Sequence, residues 1–371
     1  MSTPGRVLIT TDTLGGVWTY AIDLARALRD EGVEVALAAM GGPASAEQRA
    51  DGRDAASLGF FEGDYRLPWM AEPWEEVAAA GCWLLELSSK ISPDVVHFNE
   101  PVHAALAWER PTVAVGHSCV LSWWQAVLNE AAPASWNRYR EAMIRGLLAA
   151  DVVVAPSASM LQELGRYYGV KQGRVIPNGR DSSQLSPGLK QPLVFAAGRV
   201  WDRGKNLLAL EEVASRLPWP VYIAGETRDP EGRQGSAATR VCLLGRLSQG
   251  QVAEWLAVSS IYAFPARYEP FGLSVVEAAL AGCALVLSDL PTLRELWPGS
   301  AVFVPLDEPD ALRQAIQGLI EDPHLRHTLA MRARRRALTL TPRRMARAYC
   351  QAYSDAIAHA ALIPREYPCA S

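Results

Sequence analysis

No stretch of this 371-residue chain approaches the ~20 consecutive apolar residues that a membrane-spanning helix requires, so no bilayer-crossing helix is expected. The opening MSTPGRVLITTD has no long apolar core of the secretory-leader type and passes directly into strand-like sequence, which points to a cytoplasmic protein. Cysteine is scarce and unpatterned. Cys82, Cys119, Cys242, Cys283, Cys350 and Cys369 show no paired spacing of the kind that holds a metal, and several lie in apolar runs. They read as reduced core residues rather than a disulfide framework. Positive charge is not in excess: 36 Lys and Arg against 40 Asp and Glu leave a net charge of −4. Without a basic stripe, nucleic acid is not an expected partner. The dinucleotide fingerprint G-x-G-x-x-G is missing after the first strand-like segment, where Gly15-Gly16 stands instead.

What is present is a long alternation of strand-like and helix-like segments. The length favours two domains of roughly 150–200 residues. We divide the chain into residues 1–185 and 186–341 with a closing segment 342–371, because the polar, proline-marked stretch 180–191 interrupts the alternation and reads as a hinge. Such a pattern predicts two doubly wound α/β domains facing one another. In the first half Arg6–Thr10 reads as a buried strand, followed by Gly15-Gly16 and a helix with apolar positions Val17, Tyr20, Ala21, Leu24, Ala27 and Leu28. The glycine turn thus lies at a strand's carboxyl end, where open α/β sheets bind ligands. Residues 41–75 read as an excursion with one helix. Strands at Asp94–Phe98 and Thr112–Gly116 end at Asn99-Glu100-Pro101 and at His117-Ser118. A lone histidine is more often structural than functional, but one at a strand end is placed to meet a ligand. Trp123 and Trp124 fit core packing, sugar stacking or an interfacial anchor. The amphipathic segment Ala134–Ala149 carries Arg138, Arg140 and Arg145, yet Glu141 and the acidic net charge limit it to peripheral membrane contact.

Two stretches of the second half carry charged groups suited to ligands. After the strand Leu193–Ala197 comes GRVWDRGKN, in which Arg199 and Lys205 flank a glycine-bearing loop. A guanidinium fork and an ammonium point charge held there suit a diphosphate; alternatively they are two solvated surface cations. The stretch 261–297 reads as strand, loop, helix, strand and short helix. Its turn Glu269-Pro270-Phe271-Gly272 leads to a helix that Ser274 is placed to cap, with Glu277 at capping-box spacing. The N–H groups around Gly272, Leu273 and Ser274 favour an anion. Glu269 and Glu277, eight positions apart, could then accept hydrogen bonds from sugar and ribose hydroxyls. On these residues alone Glu277 as a cap and Glu269 as a solvated loop residue remain equally open.

RYEPFGLSVVEAALAGCALVLSD resembles the Glu-x7-Glu region of retaining glycosyltransferases with the GT-B fold, glycosyltransferase family 4 (glycosyl transferases group 1). Gly198-Arg199 followed by Lys205 resembles the same family's Gly-Arg-Leu…Lys-Gly signature, with Asn206 where the family commonly has glycine. The Gly15-Gly16 turn, the His117-Ser118 step and the Pro177-Asn178-Gly179 turn also match. The resemblance implies an acceptor-side domain over 1–185, a nucleotide-sugar domain over 186–341, and a last helix that packs back on the first domain. It implies retaining, metal-independent transfer of a hexose-type sugar from a UDP, GDP or ADP sugar to a hydroxyl on a glycan, lipid-linked or small-molecule acceptor. No cofactor is implied. Arg199 and Lys205 would neutralise the diphosphate, Glu269 and His117 would hold the sugar, and Glu277 would hold the ribose. Gly15, Gly16, Phe271, Gly272, Leu273 and Ser274 would line the donor, and Arg246 would meet the nucleobase through backbone atoms. A glycoside hydrolase would need two carboxylates about 5–10 Å apart but no phosphate-binding cations. An epimerase would need an acid/base set not found in this sequence. A catalytically silent sugar-nucleotide-binding protein is the remaining alternative.

Overall fold

The structure, a computed structural model, describes residues 4–228 and 239–362. Cys369, the end of the closing segment and most of the polar loop after Glu226 lie outside these residues. The described residues form two compact units, one drawn from 4–122, 131–179 and 342–362, the other from 123–130, 180–228 and 239–341.

The sheet of the first unit contains β1 (Arg6–Asp12), β2 (Glu34–Met40), β3 (Gly59–Glu62), β4 (Val95–Phe98), β5 (Thr112–Val115), β6 (Val152–Ala155) and β7 (Arg174–Val175), in spatial order β3-β2-β1-β4-β5-β6-β7. All pairings are parallel; Val7–Ile9 of β1, for example, lies against Val95–His97 of β4. Parallel strands with helices on both faces have no wet side, which explains near-continuous apolar runs such as Val95–Phe98, buried throughout. The helix Gly16–Asp30 is buried on more than one side because the closing helix Pro342–Leu362 lies against it. Tyr349, Ala352, Tyr353 and Ala356 of that closing helix are fully buried, and Glu31 accepts from both Arg343 and Arg347 at its rim.

The second unit holds β8 (Gln191–Ala197), β9 (Val221–Ala224), β10 (Cys242–Gly245), β11 (Ser259–Phe264), β12 (Ala284–Ser288) and β13 (Ala301–Val304), in order β10-β9-β8-β11-β12-β13. These pairings are parallel too, with Ile261–Phe264 in register with Ala284–Leu287. Each unit is therefore the doubly wound α/β sheet that the alternation predicts.

Several local expectations are corrected. The excursion 41–75 contains not only a helix, Ala46–Ala55 with a Ser45/Gln48 capping box, but also β3, an edge strand. Residues 120–128 form a helix. Ser274 does not cap the helix Leu273–Leu280: Gly272 is the N-cap, at φ +90°, and Ser274 lies inside the first turn, where it shares a hydrogen bond with the Tyr262 hydroxyl. Asp307, expected from the sequence to begin and cap a helix running to Glu321, is likewise not a cap. It takes φ +61° and pairs with Arg267, while the helix Pro309–Glu321 begins after Glu308.

Candidate active site

In a doubly wound sheet the loops on either side of the strand-order reversal diverge to opposite faces and leave a crevice at the strands' carboxyl ends. In the second unit the reversal lies between β8 and β11, and the two charged loops found in the sequence follow those two strands. Asp202, nearly buried, builds the first loop. Its carboxylate accepts from Gly204 N–H at 2.8 Å and from Arg199 Nη2 at 2.8 Å, and its carbonyl accepts from Lys205 N–H at 2.9 Å. Gly204 ties the loops together, its carbonyl accepting from Arg267 N–H at 2.9 Å and Tyr268 N–H at 3.2 Å. Asn206 adds a bond to the Pro265 carbonyl at 3.0 Å. It takes φ +51°, a left-handed conformation that asparagine tolerates, so it stands where the family has glycine without changing what the backbone must do.

This stitching places Lys205 Nζ 2.6 Å from Glu269 Oε2, with side chains 20% and 9% exposed. Glu269 Oε1 also accepts from Phe271 N–H at 3.2 Å, which folds the loop into the N-terminus of the helix Leu273–Leu280. That helix aims its first N–H groups, which lack intrahelical acceptors, at the mouth of the crevice. One turn in, Glu277 pairs with Arg180 at 2.7 Å, and both are largely buried. Gly225, at the end of β9, lies so close to Gly198 that an added Cβ would fall 1.7 Å from the Gly198 carbonyl oxygen; the two loops meet there backbone to backbone. Arg246 follows β10 and is exposed. Arg199, Lys205, Glu269, Phe271, Gly272, Leu273, Ser274 and Glu277 are thus gathered at one end of one sheet, while Gly15, Gly16 and His117 belong to the first unit.

Among the described residues no group of three or more His, Cys, Asp or Glu could hold a metal ion.

The first unit has its own reversal, between β1 and β4. After β1, Asp12 Oδ1 accepts from Leu14 N–H at 2.8 Å and sets up Gly15 as the N-cap of Gly16–Asp30. Gly15 takes φ +86° with nothing within 4 Å of where a Cβ would stand, so backbone conformation rather than crowding calls for glycine. After β4, burial and the neighbouring Asp12 carboxylate push Glu100 up to about 8. After β5, His117 Nε2 lies 2.8 Å from Asn99 Oδ1, which accepts its hydrogen, and burial, then the nearby His97, lowers His117 to about 3. It is neutral at ordinary pH.

Sequence reasoning missed Arg180, Asp202, Asn99 and Glu100. Arg180 stood in a polar linker-like run with its partner 97 positions away, so no local signal marked it. Asp202 and Asn99 were visible as polar residues just past strand ends, which is the signal that could have found them.

Two family models match the chain: Glycosyltransferase Family 4 over residues 14–184 and Glycosyl transferases group 1 over 191–322. The chain belongs to glycosyltransferase family 4. A phosphatidyl-myo-inositol mannosyltransferase of Mycolicibacterium smegmatis is 28% identical over 359 residues, covering 88% of this chain and 86% of that protein. A glycogen synthase of Mycobacterium tuberculosis is 24% identical, covering 75% and 72%. Among solved structures, sucrose-phosphate synthase from Thermosynechococcus elongatus aligns with a TM-score of 0.78 at 19% identity, covering 95% of this chain and 99% of that one. HepE of Anabaena, in complex with UDP-glucose, aligns at 0.76 and 18% identity, covering 94% and 99%. These neighbours give this glycosyltransferase the GT-B fold. Among the described residues, no helix is long and apolar enough to cross a membrane.

Proposed function

We propose that this glycosyltransferase moves a hexose-type sugar from a UDP, GDP or ADP sugar to a hydroxyl of a glycan, lipid-linked or small-molecule acceptor, with retention at the anomeric carbon and without a bound metal. The observation that carries the reading is the stitched pair of loops at the β8/β11 reversal, where Lys205 and Arg199 stand beside Glu269 and a helix N-terminus. As the glycosidic bond breaks, negative charge grows on the diphosphate. Arg199, Lys205 and the N–H groups of Gly272 and Leu273 would stabilise it, the service a metal gives in other transferases. An ammonium has three donors, so Lys205 can keep Glu269 and still bind a phosphate oxygen. Glu269 would take sugar hydroxyls, Glu277 the ribose, and Arg180 would hold Glu277 in place. Arg246 would present backbone atoms to the base, and His117 would meet a sugar hydroxyl. Gly15 and Gly16 would let backbone amides approach the diphosphate.

The way the carboxylates are held supports retention. Glu269 is held by an ammonium and a backbone N–H, and Glu277 by a guanidinium, an arrangement of fixed acceptors rather than of a free base or nucleophile. We therefore assign proton removal from the acceptor to the departing phosphate, on the same face of the sugar. The relatives named as transferases and synthases, and the neighbour crystallised with UDP-glucose, support a nucleotide-sugar donor.

A thermal-shift panel of nucleoside diphosphates and their sugars tests this reading. One nucleotide sugar at a hundredfold excess over its Kd should stabilise the protein by about 2.7 kcal/mol. The increment should vanish in Lys205→Ala and Glu277→Ala. No response to any nucleotide at millimolar concentration would sink the proposal, and turnover on any acceptor would exclude a protein that only binds.

A further inference from the structure

A buried polar chain runs behind His117 to the far end of the sequence. The Tyr353 hydroxyl lies 2.7 Å from His97 Nδ1, His97 Nε2 lies 3.0 Å from Asn99 Oδ1, and the same Oδ1 lies 2.8 Å from His117 Nε2. Tyr353 and His97 are fully buried and Asn99 nearly so. The Tyr20 hydroxyl lies farther off, 3.4 Å from His97 Nε2, and one contact orients the amide at the centre of the chain. Asn99 Nδ2 sits 2.7 Å from the Thr10 carbonyl, which can only accept, so the amide nitrogen must face Thr10 and the amide oxygen must face both rings. That oxygen only accepts. Nε2 of His97 and Nε2 of His117 must therefore both carry hydrogen. A neutral imidazole has one N–H, which leaves His97 Nδ1 as the acceptor of the Tyr353 O–H and leaves the lone pair of His117 on Nδ1. Both rings are neutral, since burial lowers His97 to about 4 and His117 to about 3. Tyr20 packs edge-on against the His117 ring, centroids 4.5 Å apart, and holds its plane.

We propose that Tyr353, His97 and Asn99 are positioning residues that fix His117 as its Nε2–H tautomer, so that Nδ1 can only accept a hydrogen bond, which a hydroxyl of the transferred sugar would supply. The identity of that hydroxyl rests on the transferase reading; the tautomer does not. The device selects donors. A sugar lacking the hydroxyl, or carrying fluorine in its place, offers Nδ1 no hydrogen, and a site built to bond a hydroxyl rejects analogues without one far more strongly than it rejects a missing methylene.

Long-range proton–nitrogen spectra of the full chain labelled at histidine read the tautomer directly, with His117 assigned by the signal lost in His117→Gln. The expected result is a protonated Nε2 and an unprotonated Nδ1 on both His97 and His117. In Asn99→Leu the acceptor is gone, and Nδ1–H signal should appear at His117. In Tyr353→Phe the His97 Nδ1 resonance should move to that of a nitrogen without a hydrogen-bond donor. A His117 Nδ1–H in the unaltered protein overturns the proposal with no variant needed, and so does an unchanged His117 tautomer in folded Asn99→Leu. Under turnover, Asn99→Leu should lower kcat on the order of 10–10²-fold, and a deoxy donor should lose its disadvantage in that variant. The expected tautomer in a protein that no nucleotide sugar stabilises would uphold the positioning chain while refuting the transferase reading.

Discussion

The cations that the proposed chemistry asks to meet a diphosphate are each engaged by a carboxylate of the chain itself: Lys205 by Glu269, and Arg199 by Asp202. This pairing sets what single substitutions can report. Lys205→Met leaves Glu269, 9% exposed, as a charge without its counter-ion, and breaking such a pair from one side costs about 3 kcal/mol. Removing the charge from both sides is far milder. We expect urea denaturation to show Lys205→Met strongly destabilised and Lys205→Met/Glu269→Gln recovering most of the loss, a coupling that a double-mutant cycle isolates. Neither protein should respond to a nucleotide sugar. If the double variant is as unstable as the single one, the pair is not what holds the two loops together. The same geometry explains what could be read from sequence at this scale. Lys205 and Glu269 each announced themselves through local context, a glycine loop in one case and a turn before a helix in the other. Arg180 did not, because its meaning comes from Glu277, which the chain reaches only after building most of a domain.

At the scale of elements, the turn Glu269–Gly272 and the helix behind it carry the donor-side geometry. Gly272 takes φ +90°, and an added Cβ would stand 3.2 Å from Val275 Cγ2 and 3.5 Å from Glu269 Cγ. Gly272→Ala should therefore cost about 1–2 kcal/mol in backbone strain alone. Because the strain and the tight contact with Val275 fall where the Glu269 turn enters the helix, affinity for the nucleotide sugar should fall as well. Calorimetric titration reads this, and an unchanged Kd would mean that the helix N-terminus and Glu269 do not bind together. Elements were legible wherever burial on both faces writes a continuous apolar run, as in Ile261–Phe264 and Ala284–Leu287. The edge strand β3 was not, since Gly59-Phe60-Phe61-Glu62 has one neighbour, only half-buried side chains and a polar surround. Cap positions were misread at Ser274 and Asp307 because a left-handed residue, Gly272 in one case and Asp307 itself in the other, ends the loop where side-chain chemistry suggested a different start. The tyrosines of Pro342–Leu362 read as an ordinary helix face, and nothing local tied Tyr353 to a histidine 256 residues earlier.

For the molecule as a whole, the titratable groups of the first unit set its response to pH. His97 and His103 are held near 4 and His117 near 3 by burial, against about 6.5 in an unfolded chain. Between those values the unfolded state binds protons that the folded state refuses, so stability falls as pH drops from about 6.5 toward 4. Glu100 acts in the opposite sense. Its carboxyl stays protonated up to about 8 when folded, whereas an exposed glutamate ionises near 4.3. The folded state then holds the extra proton, and stability falls as pH rises from about 4.5 to 8. Three histidines outweigh one glutamate on the acid side, while of these four groups Glu100 is the one that titrates above about 6.5. Stability measured by urea denaturation should therefore drop steeply below pH 6.5 and decline gently between 6.5 and 8. Glu100→Gln cannot ionise, so it should flatten the alkaline decline and leave the acid limb in place. A decline that persists in Glu100→Gln would assign it elsewhere, and a flat acid limb would mean that these rings are charged in the folded protein. That last outcome would also remove the lone pair on His117, because a doubly protonated imidazole has no nitrogen left to accept a hydroxyl.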